Sequence, residues 1–141
     1  MAIIVIDPGH GGSESTGGSS WNNAVGPGGT LEKTLTLEIG LLTGDILRTR
    51  GHSVHLTRTD DRNISLAKRA AVSKSNKAAA FLSLHFNGSH KHTAQGTKTL
   101  VYKTYSNLSA KLSLAVQDAM LAVTGLKDRN TAYATDRIKP Q

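Results

Sequence analysis

Apolar residues in this chain occur in two patterns, as short runs of β-branched and aliphatic residues and as longer stretches at helical spacing. The short runs predict four strands, at residues 2–6, 53–57, 79–84 and 95–103. The first run, Ala-Ile-Ile-Val-Ile, has no polar position, which is typical of a strand buried on both faces. The sequence Asp-Pro-Gly-His-Gly-Gly at residues 7–12 ends this strand abruptly in a turn.

The stretches at helical spacing predict three helices. The positions expected to face the core are Leu35, Ile39, Leu42 and Ile46 in the first, Leu66, Ala70 and Ser73 in the second, and Leu108, Leu112, Ala115, Ala119 and Val123 in the third. Glu32 lies in the first turn of the first helix, where a carboxylate suits the helix dipole, and Gly51 ends that helix. Asn63 or Ser65 caps the second helix, and Gly125 ends the third. Strands that alternate with helices predict an α/β fold, with a mainly parallel, twisted sheet flanked by helices on both faces.

Two stretches of the chain have no period. Residues 11–30 are rich in Gly, Ser and Asn, and so long a loop in a compact domain is typically functional or mobile. Residues 126–141 show no pattern that predicts an element. The sequence contains no internal repeat and no linker, so we expect one domain over residues 1–141.

The charge of the chain indicates an anionic partner. There are 17 Lys and Arg residues against 10 Asp and Glu, which gives a formal net charge of +7. Aromatic residues make up only 4% of the chain, and the basic residues are scattered, so nucleic acid is not the partner that we expect. A polyanionic bacterial cell wall suits the same charge.

Composition also excludes several classes of protein. The chain has no Cys, which removes disulfides, thiolate metal sites and a cysteine nucleophile. No apolar run approaches the roughly 18 residues that a membrane-spanning helix needs. The first apolar run is too short for the hydrophobic region of a signal peptide. We therefore expect neither membrane insertion nor a secretory signal in these residues.

Three residues that can ligate a metal are predicted to meet at one edge of the sheet. His10 follows the first strand, His85 directly follows the third, and Glu32 opens the helix after the first strand. In an open α/β sheet, sites form in the crevice beyond the carboxyl ends of the strands. Two imidazoles and one carboxylate are the ligand set of a catalytic zinc that keeps its fourth position for water. The residues therefore predict a zinc site, with a metal-activated water.

Simpler interpretations stay open on spacing alone. A histidine at the end of a strand is commonly a hydrogen-bonding residue, and Glu32 is equally explained as a charge at a helix start. The gaps of 22 and 53 residues between the three positions match no short metal-binding motif.

Several segments resemble the zinc-dependent N-acetylmuramoyl-L-alanine amidases. The segments are Val-Ile-Asp-Pro-Gly-His-Gly-Gly at 5–12, Glu-Lys at 32–33, Leu-Thr-Arg-Thr-Asp at 56–60 with Leu66 and Arg69, Ser-Leu-His-Phe-Asn at 83–87, and Gly-Leu-Lys-Asp-Arg at 125–129. They occur in the family's order and span nearly the whole chain. The sequence is therefore identified as a member of the branch of the family that opens with Ile-Asp-Pro-Gly-His-Gly-Gly.

This resemblance implies both an activity and a set of ligands. It implies that His10, Glu32 and His85 bind Zn²⁺, and that the enzyme hydrolyses the amide between N-acetylmuramic acid and the L-alanine of the stem peptide in bacterial peptidoglycan. Asn87, two residues after a ligand, is a candidate for contact with the substrate. It is equally explained as a turn residue that caps the end of the strand.

One part of the family pattern is missing. The resemblance implies a second glutamate, the general base and acid, within a Val-Glu-x-Gly-Phe run on a late strand, and nothing after Asp128 resembles that run. We therefore assign no general base within this chain, and we expect the catalytic glutamate and the last strand of the sheet to lie beyond Gln141. A cell-wall-binding domain is expected to follow.

Two functions remain in competition at this point. The first is a peptidoglycan hydrolase that acts as a monomer at the cell wall, outside the cytoplasm, with a phage endolysin as one origin that fits the missing signal. The second is a zinc-containing module that binds the wall, or regulates another protein there, without catalysis.

Overall fold

The computed structural model describes residues 1–89, 93–102 and 107–129, and the backbone of residues 132 and 133. Its elements in chain order are β1 (Ile3–Pro8), α1 (Glu32–Thr49), β2 (Ser53–Leu56), α2 (Leu66–Ser75), β3 (Ala80–Leu84), β4 (Leu100–Val101), α3 (Asn107–Thr124) and β5 (Ala132–Tyr133). The chain divides into two units, Met1–His92 and Thr93–Gln141. The predicted α/β fold with parallel strands is confirmed.

The first unit contains a three-stranded parallel sheet in the order β2-β1-β3. β1 is the central strand, and Val5 pairs with His55 on one side and with Phe81 on the other. The chain moves from β1 through α1 to one edge of the sheet and then through α2 to the opposite edge. Because the direction of winding reverses at β1, the carboxyl ends of β1 and β3 form a topological switch point, where α/β proteins place their sites.

Helix α1 packs on one face of the sheet, over a core formed by Ile4, Ile6 and Val54. Its buried positions are Glu32, Thr36, Gly40 and Gly44. The prediction that the apolar stripe of α1 faces the core was therefore wrong, because Ile39, Leu42 and Ile46 are exposed. The helix lies close to the sheet at Gly40 and Gly44, and Leu47 packs against the core near the end of the helix.

Gly40 sets this close approach, which leads to a prediction about stability. A Cβ at Gly40 would lie 2.7 Å from Cγ of Pro8, so Gly40→Ala forces α1 away from β1. We expect the free energy of unfolding to fall by about 1–3 kcal/mol, as for other overpacked cores. The measurement is denaturant unfolding, with Gly28→Ala as the control because a Cβ there meets nothing within 4 Å. Equal unfolding midpoints for the two variants would contradict the prediction.

Helix α2 lies on the opposite face of the sheet, where its buried residue is Arg69. The sequence predicted that Leu66 and Ala70 would face the core, but both are exposed. The reason is Asp7, whose carboxylate projects from the central strand into this face and bonds Arg69 at 2.8 Å. Ser65 caps the helix as predicted, accepting a hydrogen bond from the backbone N–H of Lys68.

The second unit contains β4, α3 and β5. Helix α3 is followed by Gly125 in a left-handed conformation, as predicted (φ +62°). Of the strand predicted over 95–103, only Leu100–Val101 forms a strand in the described part of the chain. It pairs in parallel with β5, and β5 lies in a stretch for which no element was predicted. The apolar stripe predicted for α3 was wrong, because the buried positions are Ser113 and Gln117. Gln117 donates hydrogen bonds to the carbonyl of Thr97 and to Asp128.

Candidate metal centre

The three predicted ligands meet at the switch point. His10 lies two residues beyond β1, His85 follows β3 directly, and Glu32 is the first residue of α1. His10 Nε2 lies 3.2 Å from Glu32 Oε2, His85 Nδ1 lies 3.1 Å from Glu32 Oε1, and the two ring nitrogens are 3.1 Å apart. These three residues are the group that could hold a metal ion in the part of the chain that the structure describes.

The donor set fits a tetrahedral zinc ion in type and in spacing. Zinc bonds of about 2.0–2.1 Å place tetrahedral ligands roughly 3.3–3.4 Å apart, close to the separations observed here. His10 and Glu32 are buried, whereas the side chain of His85 is 46% exposed. The site is therefore buried around His10 and Glu32 and open to solvent beside His85, as a catalytic metal centre requires.

The loop between β1 and α1 fixes the tautomer of His10. Its Nδ1 lies 3.0 Å from both the carbonyl oxygen and the hydroxyl oxygen of Ser20. A carbonyl can only accept, so a proton on Nδ1 satisfies this contact and leaves the lone pair of Nε2 for a metal ion. A hydrogen bond of this kind orients histidine ligands in metal sites.

Glu32 is held as a carboxylate by groups around it. Phe86 N–H donates to Oε1 at 2.9 Å, and Ala24 N–H donates to Oε2 at 3.1 Å. Burial raises the pKa of Glu32, but opposing effects, of which the hydrogen bonds from His85 and Phe86 are the largest, outweigh it, so the pKa is lowered. Its oxygens are consequently ionised and oriented before any ligand arrives.

Two buried arginines hold the backbone that carries His10. Arg58 donates to the carbonyl oxygens of Pro8 and Gly9, and Arg69 donates to those of Pro8 and His10, all at 2.8–2.9 Å. His10 itself has a left-handed φ of +64°, which is unfavourable for a residue with a side chain. The arginines stabilise this conformation by binding the carbonyls on both sides of it.

Asp7 joins the three strands just below the site. Its carboxylate accepts from Thr57 Oγ1 at 2.6 Å, from Ser83 Oγ at 2.7 Å and from Arg69 Nη1 at 2.8 Å. Sequence analysis assigned no role to Asp7 or to the arginines beyond their place in matched segments. The sequence did contain an indication of this network, because a carboxylate at the end of a fully apolar strand is buried and needs cationic or hydroxyl partners.

Asn87, predicted to contact substrate, lies beside the site without joining the ligands. Its side chain is exposed and makes no hydrogen bond to any residue that the structure describes. The next residue, Gly88, packs against Ala24, where an added Cβ would lie 3.1 Å from that side chain. The role of Asn87 stays a prediction.

The fold and the site define the class of protein. Two histidines and a buried carboxylate at the switch point of a parallel sheet are a donor set that mononuclear metal-dependent hydrolases use. A family model described as N-acetylmuramoyl-L-alanine amidase matches residues 4–138. The chain belongs to this family.

Individual relatives agree with this assignment. The chain is 32% identical over 126 residues to the N-acetylmuramoyl-L-alanine amidase AmiC of Neisseria meningitidis, covering 88% of this chain and 29% of that protein. It is 33% identical over 132 residues to the amidase LytC of Bacillus subtilis, covering 93% of this chain and 25% of that protein. The chain thus spans less than a third of the length of these two curated relatives.

Solved structures of the family share the fold. The catalytic domain of the amidase CwlV from Bacillus (Paenibacillus) polymyxa superimposes with a TM-score of 0.81 at 32% identity, over 95% of this chain and 70% of that one. The amidase AmiC2 of Nostoc punctiforme gives a TM-score of 0.80 at 31% identity, over 94% of this chain and 69% of that one. The resemblance stated on sequence segments is confirmed.

Proposed function

We propose that this protein hydrolyses the amide between N-acetylmuramic acid and the L-alanine of the peptidoglycan stem peptide, with Zn²⁺ held by His10, Glu32 and His85. The observation that carries the proposal is the meeting of these three donors, 3.1–3.2 Å apart and accessible beside His85, in a chain of the amidase family. Family membership favours this catalytic interpretation over a wall-binding module without activity.

The protein residues prepare the site for this chemistry. When bound, zinc supplies Lewis acidity and lowers the pKa of a coordinated water. His10 presents a lone pair because Ser20 accepts the proton of its other nitrogen. Glu32 stays ionised because its pKa is lowered by its hydrogen bonds, and Arg58 and Arg69 keep the loop of His10 in place.

The general base is the part of the proposal with no residue assigned. The cluster of potential ligands in the described part of the chain contains one carboxylate, Glu32, which is engaged with both histidines. We assign no residue of this chain as the general base. Without a general base, the rate of amide hydrolysis would be lower by about 10²–10⁴-fold, and the contribution of the metal would remain.

The proposed site of action is the bacterial cell wall, outside the cytoplasm. The net charge of +7 supports binding to a polyanionic wall. None of the helices that the structure describes has the length and apolar content needed to cross a membrane. A monomeric state and a phage origin remain expectations.

The test combines zinc content with hydrolysis. Residues 1–141 are incubated with purified peptidoglycan, with and without a zinc chelator, and newly freed L-alanine amino groups are counted. We expect slow release that stops with chelator and returns when zinc is added. His10→Ala should lose both zinc and release, and His52→Ala, a histidine outside the three ligands, should keep both. One zinc per chain with no release would contradict catalysis by residues 1–141 alone and would indicate an intact metal site without its general base.

A further inference from the structure

Trp21 is the single tryptophan of the chain, and it lies next to the groups that hold the metal centre. It follows Ser20, whose oxygens bind His10, and its own carbonyl accepts the N–H of Gly11 at 3.0 Å. The residue is 40% exposed. A large apolar ring is therefore partly exposed in the loop that supplies Ser20 and Ala24 to the candidate metal centre.

The backbone around Trp21 is held rigidly although the ring is exposed. The side chain of Asn22 donates to the carbonyl of Ala24 at 2.9 Å and accepts the N–H of Lys33 at 3.0 Å. The ammonium of Lys33 lies 5.6 Å from the centre of the Trp21 ring, within the range of a cation–π interaction. Lys33 therefore lies over the indole, and Trp21 stays 40% exposed. A ring fixed in advance loses little entropy when a ligand stacks on it.

The surroundings of the ring favour a neutral ligand over a charged one. The Lys33 ammonium donates to Asp61 and to the carbonyl of Gly12, both at 2.7 Å, so its charge is already compensated. Asn23 is exposed and makes no hydrogen bond to any residue in the described part of the chain. An aromatic face beside a free amide suits a ligand with an apolar face and neutral polar substituents. A pyranose ring with hydroxyl and acetamido groups has this chemistry, whereas the stem peptide carries carboxylates.

We propose that Trp21 and Asn23 form the subsite for the N-acetylated sugar of the glycan strand, with the ring of Trp21 stacking on the pyranose. This inference rests on the proposed function, because it assigns a binding site to the sugar that carries the scissile amide. It makes Trp21 a binding residue that selects for glycan next to the metal centre.

The test uses the fluorescence of Trp21, which reports on its own site because the chain has no other tryptophan. The zinc-loaded chain is titrated with the disaccharide of N-acetylglucosamine and N-acetylmuramic acid, its lactyl carboxyl group capped as a neutral methylamide, and separately with free stem peptide. We expect a saturable change in emission with the disaccharide and none with the peptide. A response to the peptide alone would overturn the assignment to sugar.

Variants measured by calorimetry separate the ring from the rest of the site. Trp21→Ala is expected to weaken disaccharide binding about tenfold or more, and Trp21→Phe should retain part of the affinity. Tyr102→Ala, which removes another exposed aromatic ring, should bind as the unaltered protein does, and all the variants should keep their zinc. Unchanged affinity in Trp21→Ala would overturn the inference and leave the amidase proposal standing. Disaccharide binding through Trp21 without any amide hydrolysis would overturn the proposed function alone.

Discussion

Replacing Arg69 with methionine is expected to lower the free energy of unfolding by about 3–5 kcal/mol, the usual effect of breaking a buried ion pair from one side. Arg69 is 3% exposed, and its guanidinium bonds Asp7, the carbonyls of Pro8 and His10, and the carbonyl of Ile64. Methionine fills a similar volume and supplies none of these donors. The carboxylate of Asp7 would then keep only its two hydroxyl partners in a buried position.

Two comparisons make this prediction specific. Arg62→Met removes an arginine that is 64% exposed and pairs with Asp60, so the unfolding midpoint should not change measurably. Adding Asp7→Asn to Arg69→Met should recover part of the lost stability, since the uncompensated charge is removed. Chemical denaturation of the four proteins measures both effects. If Arg69→Met and Arg62→Met unfolded at the same denaturant concentration, the buried network would have no role in stability.

Gly9→Ala is expected to weaken zinc binding by about 10–100-fold, as the loss of an orienting contact around a metal ligand typically does. A Cβ at this position would lie 2.6 Å from Nε2 and 2.8 Å from Nδ1 of His85, so the imidazole has to turn away from Glu32 and His10. Gly9 does not have a left-handed φ, and alanine therefore fits its backbone. The variant should consequently fold and lose metal affinity, which competition with a chromophoric chelator measures.

The controls for Gly9→Ala distinguish a local effect from unfolding. Gly28→Ala meets no neighbouring atom and should bind zinc with unchanged affinity. Circular dichroism should be the same for the two variants. Tight zinc binding by Gly9→Ala would show that His85 does not need its present position to act as a ligand.

The sequence predicted the three strands of the first unit and the meeting of His10, Glu32 and His85, because both depend on strong local patterns. Unbroken apolar runs mark buried parallel strands, and such strands bring the residues after them to one edge, where His10, Glu32 and His85 are found. The metal-binding role of these residues stays a prediction until zinc is measured. The extension of β1 to Pro8 was missed because Asp7 and Pro8 are residue types that usually mark turns.

The packing faces of the helices could not be predicted from periodicity. In α1 the buried face contains Gly40 and Gly44, which have no side chain and therefore do not contribute to the hydrophobic pattern. In α2 the buried residue is Arg69, whose burial depends on a carboxylate 62 positions away in the chain. Close packing and long-range ion pairing are properties of the tertiary structure, and a local pattern contains neither.

The glycines of α1 also couple the body of the helix to the metal centre. Glu32 is the first residue of this helix, and Gly40 lies eight positions later, about 12 Å along the axis. Since a helix is stiff over that length, its distance from the sheet at Gly40 determines how far Glu32 reaches toward the two histidines. A single methyl group inserted two turns away would then draw Glu32 away from the two histidines, so the separation of the three donors depends on how tightly one helix lies against its sheet.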